Sequence, residues 1–273
     1  MSGQMTGTRM PTDHRVVWQY WETRGVKPAF VDGLHAIAEA NAGMPVIQVT
    51  PETLPDYLPD LDPRIDAVGE LAHKADLIRT RLVARYGGIW LDSDAIVLRD
   101  LSFLLDPLDG GADFVGFNND GDLSITRPGV RINCFAARPG STVMAEWVAA
   151  QAGKLDKTAF SWREVGTDLL HPICQAHADK VRILPLASIT PVGWKEVARF
   201  GSRWRSPGKL VETCPVVMLS NKSLETRLPR LREMQVEEIV AADIYVSHFL
   251  RRAQDPTYRA PGPLAAAWRG LRP

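Results

Sequence analysis

The N-terminal part of the chain alternates between short apolar runs and helically spaced apolar residues. Residues 15–21 and 45–49 are runs typical of strands, and a helix is predicted between them. A second helix is predicted from apolar positions that are four, three, four and four residues apart: Leu71, Ala75, Ile78, Leu82 and Tyr86. This order of strand, helix and strand predicts a parallel sheet.

The remaining pattern continues this mixture of strands and helices. Apolar runs predict further strands at residues 113–117, 131–137, 181–185, 216–219 and 244–248. Helices are predicted at 142–152, with Ser141 as the N-cap, and at 168–178. The predicted fold class is therefore α/β, with a mostly parallel central sheet flanked by helices.

A single domain over residues 13–250 is the expected organisation. Residues 1–12 are small and polar, which predicts disorder. Residues 251–273 carry five arginines against one acid, Asp255. Such a tail is typical of a segment that contacts a membrane surface or a partner, or of a solvated extension packed on its own domain.

Composition narrows the range of functions. Lys plus Arg and Asp plus Glu number 32 each, so we expect no nucleic-acid partner. The three cysteines, Cys134, Cys174 and Cys214, are far apart and predict buried, reduced thiols. The N-terminus lacks a signal-peptide core, and no run approaches the ~20 apolar residues of a membrane span. We therefore expect a cytoplasmic protein, at most peripheral to the inner face of the membrane.

Two aspartates, Asp92 and Asp94, follow a predicted buried strand. The Asp-x-Asp pattern also occurs at 60–62 and 120–122, but there it lies in proline-flanked or polar turns. A rigid strand end aims both carboxylates at one point, and Mg²⁺ and Mn²⁺ favour oxygen ligands together with phosphate oxygens and water. The alternative is a solvated pair at a strand-to-loop junction.

Asp76 and Arg79 lie on the helix that precedes this strand. At ~100° per residue, Arg79 falls about 50° from the centre of the apolar face, and Asp76 about 60° beyond Arg79. Both residues are therefore predicted at the border between core and water. An unpaired buried guanidinium is costly, so Arg79 needs a partner, either in a structural ion pair or in a ligand site.

Residues 75–98 closely resemble the sugar-nucleotide-binding core of DxD-containing glycosyltransferases. The shared pattern is Asp-x-x-Arg at 76–79, a leucine-rich turn, Tyr-Gly-Gly at 86–88, an apolar pair and Asp-x-Asp at 92–94. The resemblance is to the family 32 type and the capsular polysaccharide synthesis proteins, and more distantly to the large clostridial toxins. It extends to the first strand, Val-Val-Trp-Gln-Tyr-Trp at 16–21, and is thin beyond residue 150.

This resemblance implies a GT-A (Rossmann-like) fold and a hexosyltransferase type of activity. The sugar would pass from a UDP- or GDP-sugar to a carbohydrate, lipid-linked or small-molecule acceptor, with Mn²⁺ or Mg²⁺ as cofactor. The resemblance also implies retention of anomeric configuration, which suits a leaving phosphate oxygen that accepts the proton of the acceptor. An inverting enzyme would instead require a carboxylate or histidine beside the acceptor.

The resemblance assigns roles to residues by position. Asp92 and Asp94 match the metal and ribose-diphosphate aspartates, and Asp76 and Arg79 match residues that hold the donor sugar. Trp18 matches the aromatic that stacks on the nucleotide base, although aromatic residues at strand ends are usually core. Donor-binding roles are also expected for Ser93 and Asn133.

Three candidates in the second half of the chain rest on thinner similarity. His248 is expected to reach the metal or the diphosphate, or else to be an ordinary core or surface histidine; Ser247 and Asn221 are weaker candidates. Asp168, or Thr167 beside it, could cap a helix. Asp168 could also have a catalytic role, orienting an acceptor hydroxyl or stabilising an oxocarbenium-like sugar.

Two other classes of function use the same residues. In a phosphohydrolase, Asp92 would be the nucleophile and Asp94 its acid/base partner, but Ile96 stands where that motif usually has Thr or Val. A non-catalytic module that binds sugar nucleotides would also keep the four residues Asp76, Arg79, Asp92 and Asp94.

Overall fold

The computed structural model describes residues 13–121, 123 and 129–262, so the predicted disorder of residues 1–12 and the last part of the tail lie outside the described residues. The strands are β1 Val17–Tyr20, β2 Val46–Val49, β3 Gly88–Leu91, β4 Ala95–Val97, β5 Phe114–Asn118, β6 Arg131–Ala137, β7 Val181–Pro185 and β8 Val216–Met218.

Helices alternate with the strands in the first half and dominate the end of the chain. They are α1 Val31–Asn41, α2 Leu54–Tyr57, α3 Leu71–Tyr86, α4 Asp106–Asp109, α5 Thr142–Ala152, α6 Thr167–Ala176, α7 Leu210–Thr213, α8 Asn221–Arg227, α9 Pro229–Glu233, α10 Val236–Ala241 and α11 Tyr245–Gln254. Short 3-10 helices span Pro63–Ala67, Ser102–Leu104, Asn119–Gly121, Leu186–Ser188 and Trp194–Gly201.

Six strands form the central sheet, in the order β2-β1-β3-β6-β5-β7. The pairs β1–β2, β1–β3 and β5–β7 are parallel, whereas β6 runs antiparallel to both β3 and β5. Strands β4 and β8 form a separate antiparallel pair. The predicted fold class, α/β with a mostly parallel central sheet flanked by helices, is therefore confirmed.

The two faces of the sheet are buried against different elements, because successive strand side chains point to opposite faces. Trp18 lies in one apolar cluster with residues of α3, α5 and α6, whereas Val17 lies in another with residues of α1, β4 and β8. A third cluster joins α1 to the C-terminal helices α8–α11. The C-terminal helices thus pack on α1 and the β4–β8 pair.

Two glycines let β3 begin directly after α3. Gly87 has a φ of 68° and Gly88 a φ of 94°, a region that favours glycine. A Cβ on Gly88 would also lie 2.6 Å from the carbonyl oxygen of Val16. The predicted structural role of this pair, which ends the helix and starts the strand close by, is confirmed.

Most predicted elements are confirmed within a few residues, including α3, α5 with its Ser141 N-cap, and β6. The strand predicted at 244–248 is wrong, since these residues begin α11 instead. The prediction used only the β-branched and aromatic residues at the start of a longer amphipathic segment. Its buried face continues through Val246, Phe249, Leu250 and Ala253 at helical spacing.

The boundary predicted between residues 250 and 251 falls inside α11, so the first residues of the predicted tail belong to that helix. Within the described ranges, no helix has the length and apolar character needed to cross a membrane. The cysteines Cys134, Cys174 and Cys214 are free and buried, as predicted.

Candidate functional site

The carboxyl ends of β1 and β3 meet at one edge of the sheet, because these strands are parallel neighbours. Asp92 follows β3 directly, and Asp94 lies immediately before β4. Strand β6 is antiparallel to β3, so its first residues lie at the same edge, and the backbone N–H of Asp92 donates to the Asn133 carbonyl 3.0 Å away. Helix α3 reaches this edge too, through Arg79.

Arg79 connects these elements. Its Nη2 lies 3.0 Å from Oδ1 of Asp76, one turn earlier on α3, and its Nη1 lies 3.2 Å from Oδ1 of Asp92. The same Nη1 donates to the Ile132 carbonyl at 2.5 Å. The guanidinium carbon stands 4.8 Å from the centroid of the Trp90 ring, in a cation–π contact.

Asp76 and Arg79 are only 5% and 6% exposed, so they lie deeper than the predicted border between core and water. The periodicity of apolar residues missed this because charged residues on α3 are buried as ion pairs. The partner that the sequence required for Arg79 is therefore present, and it consists of two carboxylates instead of one.

Asp92 is oriented from two sides and remains accessible. Nε1 of Trp90 donates to its Oδ1 at 2.8 Å, and Arg79 pairs with the same oxygen. The Asp92 side chain nevertheless keeps 29% of its surface exposed. It is therefore held in place by protein groups while part of the carboxylate faces outward.

Asp94 is held by the C-terminal half of the chain. Its Oδ2 accepts a hydrogen bond from the Asn221 backbone N–H at 2.6 Å, and its carbonyl accepts one from Leu219 N–H at 3.0 Å. Ser220 between them has a φ of 58°, an uncommon conformation for a residue with a side chain. Asn221, a weaker candidate from the sequence, thus lies beside Asp94 and contacts it through its backbone.

Three carboxyl groups lie near the single guanidinium of Arg79, and the pKa of each carboxyl group is raised. Burial raises the pKa of Asp76 to about 7 against the attraction of Arg79, and Asp92 raises it further. Burial and then the charge of Asp92 raise the pKa of Asp94 to about 6. Burial also raises the pKa of Asp92, opposed by Arg79 and Trp90.

We call Asp76, Asp92 and Asp94, together with Arg79, the acidic cluster. Its excess negative charge and its oxygen donors fit a divalent cation, which commonly takes one or two carboxylates and completes its shell with phosphate oxygens and water. Within the part of the chain that the structure describes, no three His, Cys, Asp or Glu side chains form a group that could hold a metal ion.

The structure places His248 in α11, where its side chain is 5% exposed. Its Nδ1 lies 2.6 Å from the Tyr258 hydroxyl oxygen, and the two rings stack with centroids 6.1 Å apart. His248 does not complete a three-residue metal group with Asp92 and Asp94. Its predicted metal-ligand role assumed that it ends a strand, whereas it lies in a helix that buries the ring.

Trp18 does not fit the base-stacking role predicted for it. Its side chain is fully buried, its Nε1 donates to the Gly87 carbonyl at 2.9 Å, and its ring packs against Tyr57 and Tyr86. Packed side chains cover both faces of β1, so the Trp18 ring is part of the hydrophobic core. Trp21 follows β1 at the carboxyl edge, and its buried Nε1 has no hydrogen-bond partner in the described residues.

Ser93 and Asn133 are both at the edge predicted for them. The Ser93 hydroxyl donates to the Tyr20 carbonyl at 3.3 Å, and its side chain is buried. Asn133 contributes its carbonyl to Asp92, while its side-chain Oδ1 is buried without a hydrogen-bond partner in the described part of the chain. Asn133 therefore keeps an acceptor available beside Asp92.

Asp168 lies in the first turn of α6, and its side chain is 52% exposed. It does not cap the helix, and neither does Thr167, because the N-cap is Gly166. The Asp168 carboxylate instead pairs with Arg163 at 2.8 Å. A Cβ on Gly166 would lie 3.6 Å from Oδ2 of Asp76, so the start of α6 abuts the acidic cluster.

The model of the family described as capsular polysaccharide synthesis protein matches residues 3–144. The match covers more than half of the chain, and the chain therefore belongs to this family. No curated protein matches it.

Several solved glycosyltransferases are similar in structure. One, involved in the glycosylation of the major capsid of PBCV-1, is 9% identical over 81% of this chain and 100% of that chain, with a TM-score of 0.48. The glycosyltransferase GlyE of Streptococcus pneumoniae TIGR4 is 12% identical over 91% and 65%, with a TM-score of 0.46. The galactosyltransferase LgtC, solved with donor and acceptor sugar analogs, is 12% identical over 94% and 99%, with a TM-score of 0.40.

Proposed function

We propose that this protein is a metal-dependent glycosyltransferase of polysaccharide biosynthesis. It would transfer a sugar from a UDP- or GDP-sugar to a carbohydrate, lipid-linked or small-molecule acceptor, with retention. The observation that carries the proposal is the acidic cluster at the carboxyl edge of the sheet, in which Asp76 and Asp92 pair with Arg79, and Asp94 feels the charges of both Asp92 and Arg79. Membership of the capsular polysaccharide synthesis family supports a role in glycan assembly.

Asp92 and Asp94 would hold Mn²⁺ or Mg²⁺. When bound there, the ion would neutralise negative charge that develops on a leaving diphosphate. Both carboxylates are pre-oriented, Asp92 by Trp90 and Asp94 by the backbone of Asn221. Such preorganisation removes the need to reorient these groups during the reaction.

Asp76 and Arg79 would bind the hydroxyl groups of the donor sugar. Their pairing at 3.0 Å fixes both side chains, and Arg79 also fixes Asp92, so the sugar and the diphosphate would be positioned by one connected unit. In a retaining reaction the leaving phosphate oxygen accepts the acceptor proton. The proposed mechanism therefore needs no separate general base.

We propose that the protein acts in the cytoplasm. Its cysteines are buried and free, which suits a reducing compartment.

The test is hydrolysis or transfer of donors by the purified protein with Mn²⁺ and a panel of UDP- and GDP-sugars. We expect slow release of the free sugar, and a loss of about a hundredfold or more in Asp94→Asn. Asp60→Asn is the matched control, because Asp60 belongs to another Asp-x-Asp and pairs with Arg85 at the surface. Its rate should equal that of the unmodified chain.

Two results would replace this function with another class. Tight donor binding without turnover, even with candidate acceptors, would identify a sugar-nucleotide-binding module. Release of phosphate from simple phosphomonoesters in a reaction that needs Asp92, without use of any sugar nucleotide, would identify a phosphohydrolase.

A further inference from the structure

A second group of polar side chains lies next to the acidic cluster, and its first member is Arg131 at the start of β6. Ile132 and Phe135 both pack on one face of the sheet, and the register of β6 against β5 shifts along this stretch. Phe135 packs against Trp147 of α5 with ring centroids 5.5 Å apart, which identifies this as the face covered by α3, α5 and α6. Within the described residues, no carboxylate pairs with Arg131.

The loop before α6 brings a second guanidinium to this face. Gly166 packs on β6, where a Cβ would lie 2.6 Å from Cδ1 of Ile132, and its N–H donates to the Arg163 carbonyl at 3.1 Å. Arg163 pairs with Asp168 through Nη2 at 2.8 Å. Its Nε is buried and has no hydrogen-bond partner in the described part of the chain.

His171 completes the group one helical turn after Thr167, on the buried face of α6. Its side chain is 5% exposed, and neither ring nitrogen has a hydrogen-bond partner among the described residues. Buried polar atoms are normally paired, and each exception calls for an explanation. A bound ligand that accepts hydrogen bonds would supply the missing partner.

The charge of Arg163 acts on both other side chains of this group. Burial and, after it, the charge of Arg163 lower the pKa of Arg131. The same two causes lower the pKa of His171. We call Arg131, Arg163 and His171 the basic cluster, which has Asp168 as its paired carboxylate within the described residues.

We propose that the basic cluster binds a carboxylate or phosphate group carried by the sugar substrate, on the donor sugar or on the acceptor. Arginine pairs with both groups through charge-assisted hydrogen bonds, and an anion would relieve the repulsion between the two guanidinium groups. The free Nε of Arg163 and the one N–H of a neutral His171 ring would donate to it. This inference rests on the proposed function for the sugar substrate, while the site itself can be tested without nucleotide or metal.

The experiment compares anionic probes with neutral counterparts by ligand-observed NMR. Methyl glucuronide and glucose 6-phosphate are titrated against methyl glucoside and glucose, and UDP-glucuronic acid against UDP-glucose. We expect at least one anionic probe to bind about tenfold tighter than its neutral counterpart, as charge-assisted hydrogen bonds predict. A preference within the UDP pair would place the anion on the donor sugar; a preference in the free sugars alone would place it on the acceptor.

Arg163→Gln and Arg131→Gln should each remove this preference and leave the affinity for free UDP and GDP unchanged. Arg64→Gln is the matched control, since Arg64 also pairs with an aspartate, Asp62, at 2.7 Å and is partly exposed. It should keep the full preference. Thermal melts check that all three variants fold.

Three results would overturn the proposal. One is equal binding of every anionic probe and its neutral counterpart. Another is a preference that survives in both arginine variants. The third is a loss of affinity for free UDP and GDP in those variants, which would assign the basic cluster to the donor diphosphate. The proposed transferase function fails in a different measurement, the donor hydrolysis assay with Asp94→Asn.

Discussion

The acidic and basic clusters adjoin each other at the start of β6 and differ in how their charges are satisfied. In the acidic cluster the ionic side chains hold one another, through contacts of 3.0 and 3.2 Å from Arg79 to Asp76 and Asp92. In the basic cluster, Arg131 has no paired carboxylate in the described residues, and Arg163 and His171 keep unpaired nitrogen atoms there.

This difference separates two ways of building a polar site. Internal ion pairs fix geometry before any ligand arrives, which suits groups that must orient a reactive substrate. Unpaired donors leave a preference for a ligand of opposite charge, which suits selection of a substrate. The ion pairs of the acidic cluster therefore stabilise the fold as well as shape the site. The stability of the fold depends less on the side chains of the basic cluster.

The largest expected effect comes from removal of the central cation of the acidic cluster. Arg79→Ala leaves buried carboxylates without their partner, so we expect it to lower the free energy of unfolding by about 3–5 kcal/mol. Urea denaturation measures this change. Arg163→Ala, at a partly exposed ion pair, should lower it by less than about 1 kcal/mol.

If both variants lose equal stability, the proposed contrast between the two clusters is wrong. Arg79→Lys adds a further comparison, because lysine keeps the charge but not the fork that reaches Asp76, Asp92 and the Ile132 carbonyl together. We expect its stability to lie between those of the unmodified chain and Arg79→Ala.

A smaller effect is expected from pH. The pKa of Asp76 is raised to about 7 from an ordinary value of 3.8, so its protonated form favours the folded state. That stabilisation is complete below pH about 4 and is lost as the pH rises through about 7. The free energy of unfolding of the unmodified chain should therefore be lower at pH 8 than at pH 5. In Asp76→Asn this decrease should be smaller by about 2 kcal/mol.

A divalent cation bound to the acidic cluster would change this dependence, so the measurement uses a chelator in the buffer. Asp168→Asn serves as the control, because the Asp168 carboxylate is 52% exposed. An Asp76→Asn variant with the full pH dependence of the unmodified chain would show that Asp76 is not the group responsible.

The smallest effect tests the corrected role of Trp18. Trp18→Phe removes the hydrogen bond to the Gly87 carbonyl and part of a buried ring, which should lower stability by about 1–2 kcal/mol. Nucleotide affinity should not change, because the ring has no exposed face. A Trp18→Phe variant with normal stability and weakened UDP or GDP binding would restore the stacking role.

The sequence predicted most of the fold around the acidic cluster because short-range signals are strong there. The spacing of apolar residues located α3, and the pair Gly87 and Gly88 located the start of β3. The resemblance then located Asp76, Arg79, Asp92 and Asp94, and three of these, Asp76, Arg79 and Asp92, are in direct contact.

The parts that sequence reasoning missed depend on long-range packing. Trp18 could not be distinguished from an exposed aromatic until the positions of Tyr57 and Tyr86 were known. His248 was predicted on a strand because its neighbours are β-branched and aromatic, while the helical face became apparent only through later residues of α11. The basic cluster draws its members from β6, a loop and α6, and no local sequence pattern connects them.

The hydrogen bond between Asp94 and Asn221 joins residues 127 positions apart. During synthesis, the short segment between β3 and β4 that carries Asp92 and Asp94 leaves the ribosome long before the segment that orients the second carboxylate. Contacts of such large sequence separation form late, since a long loop must close first. A nascent chain can therefore bury α3 and β3 early, but it cannot complete this carboxylate pair until β8 and the start of α8 have been made.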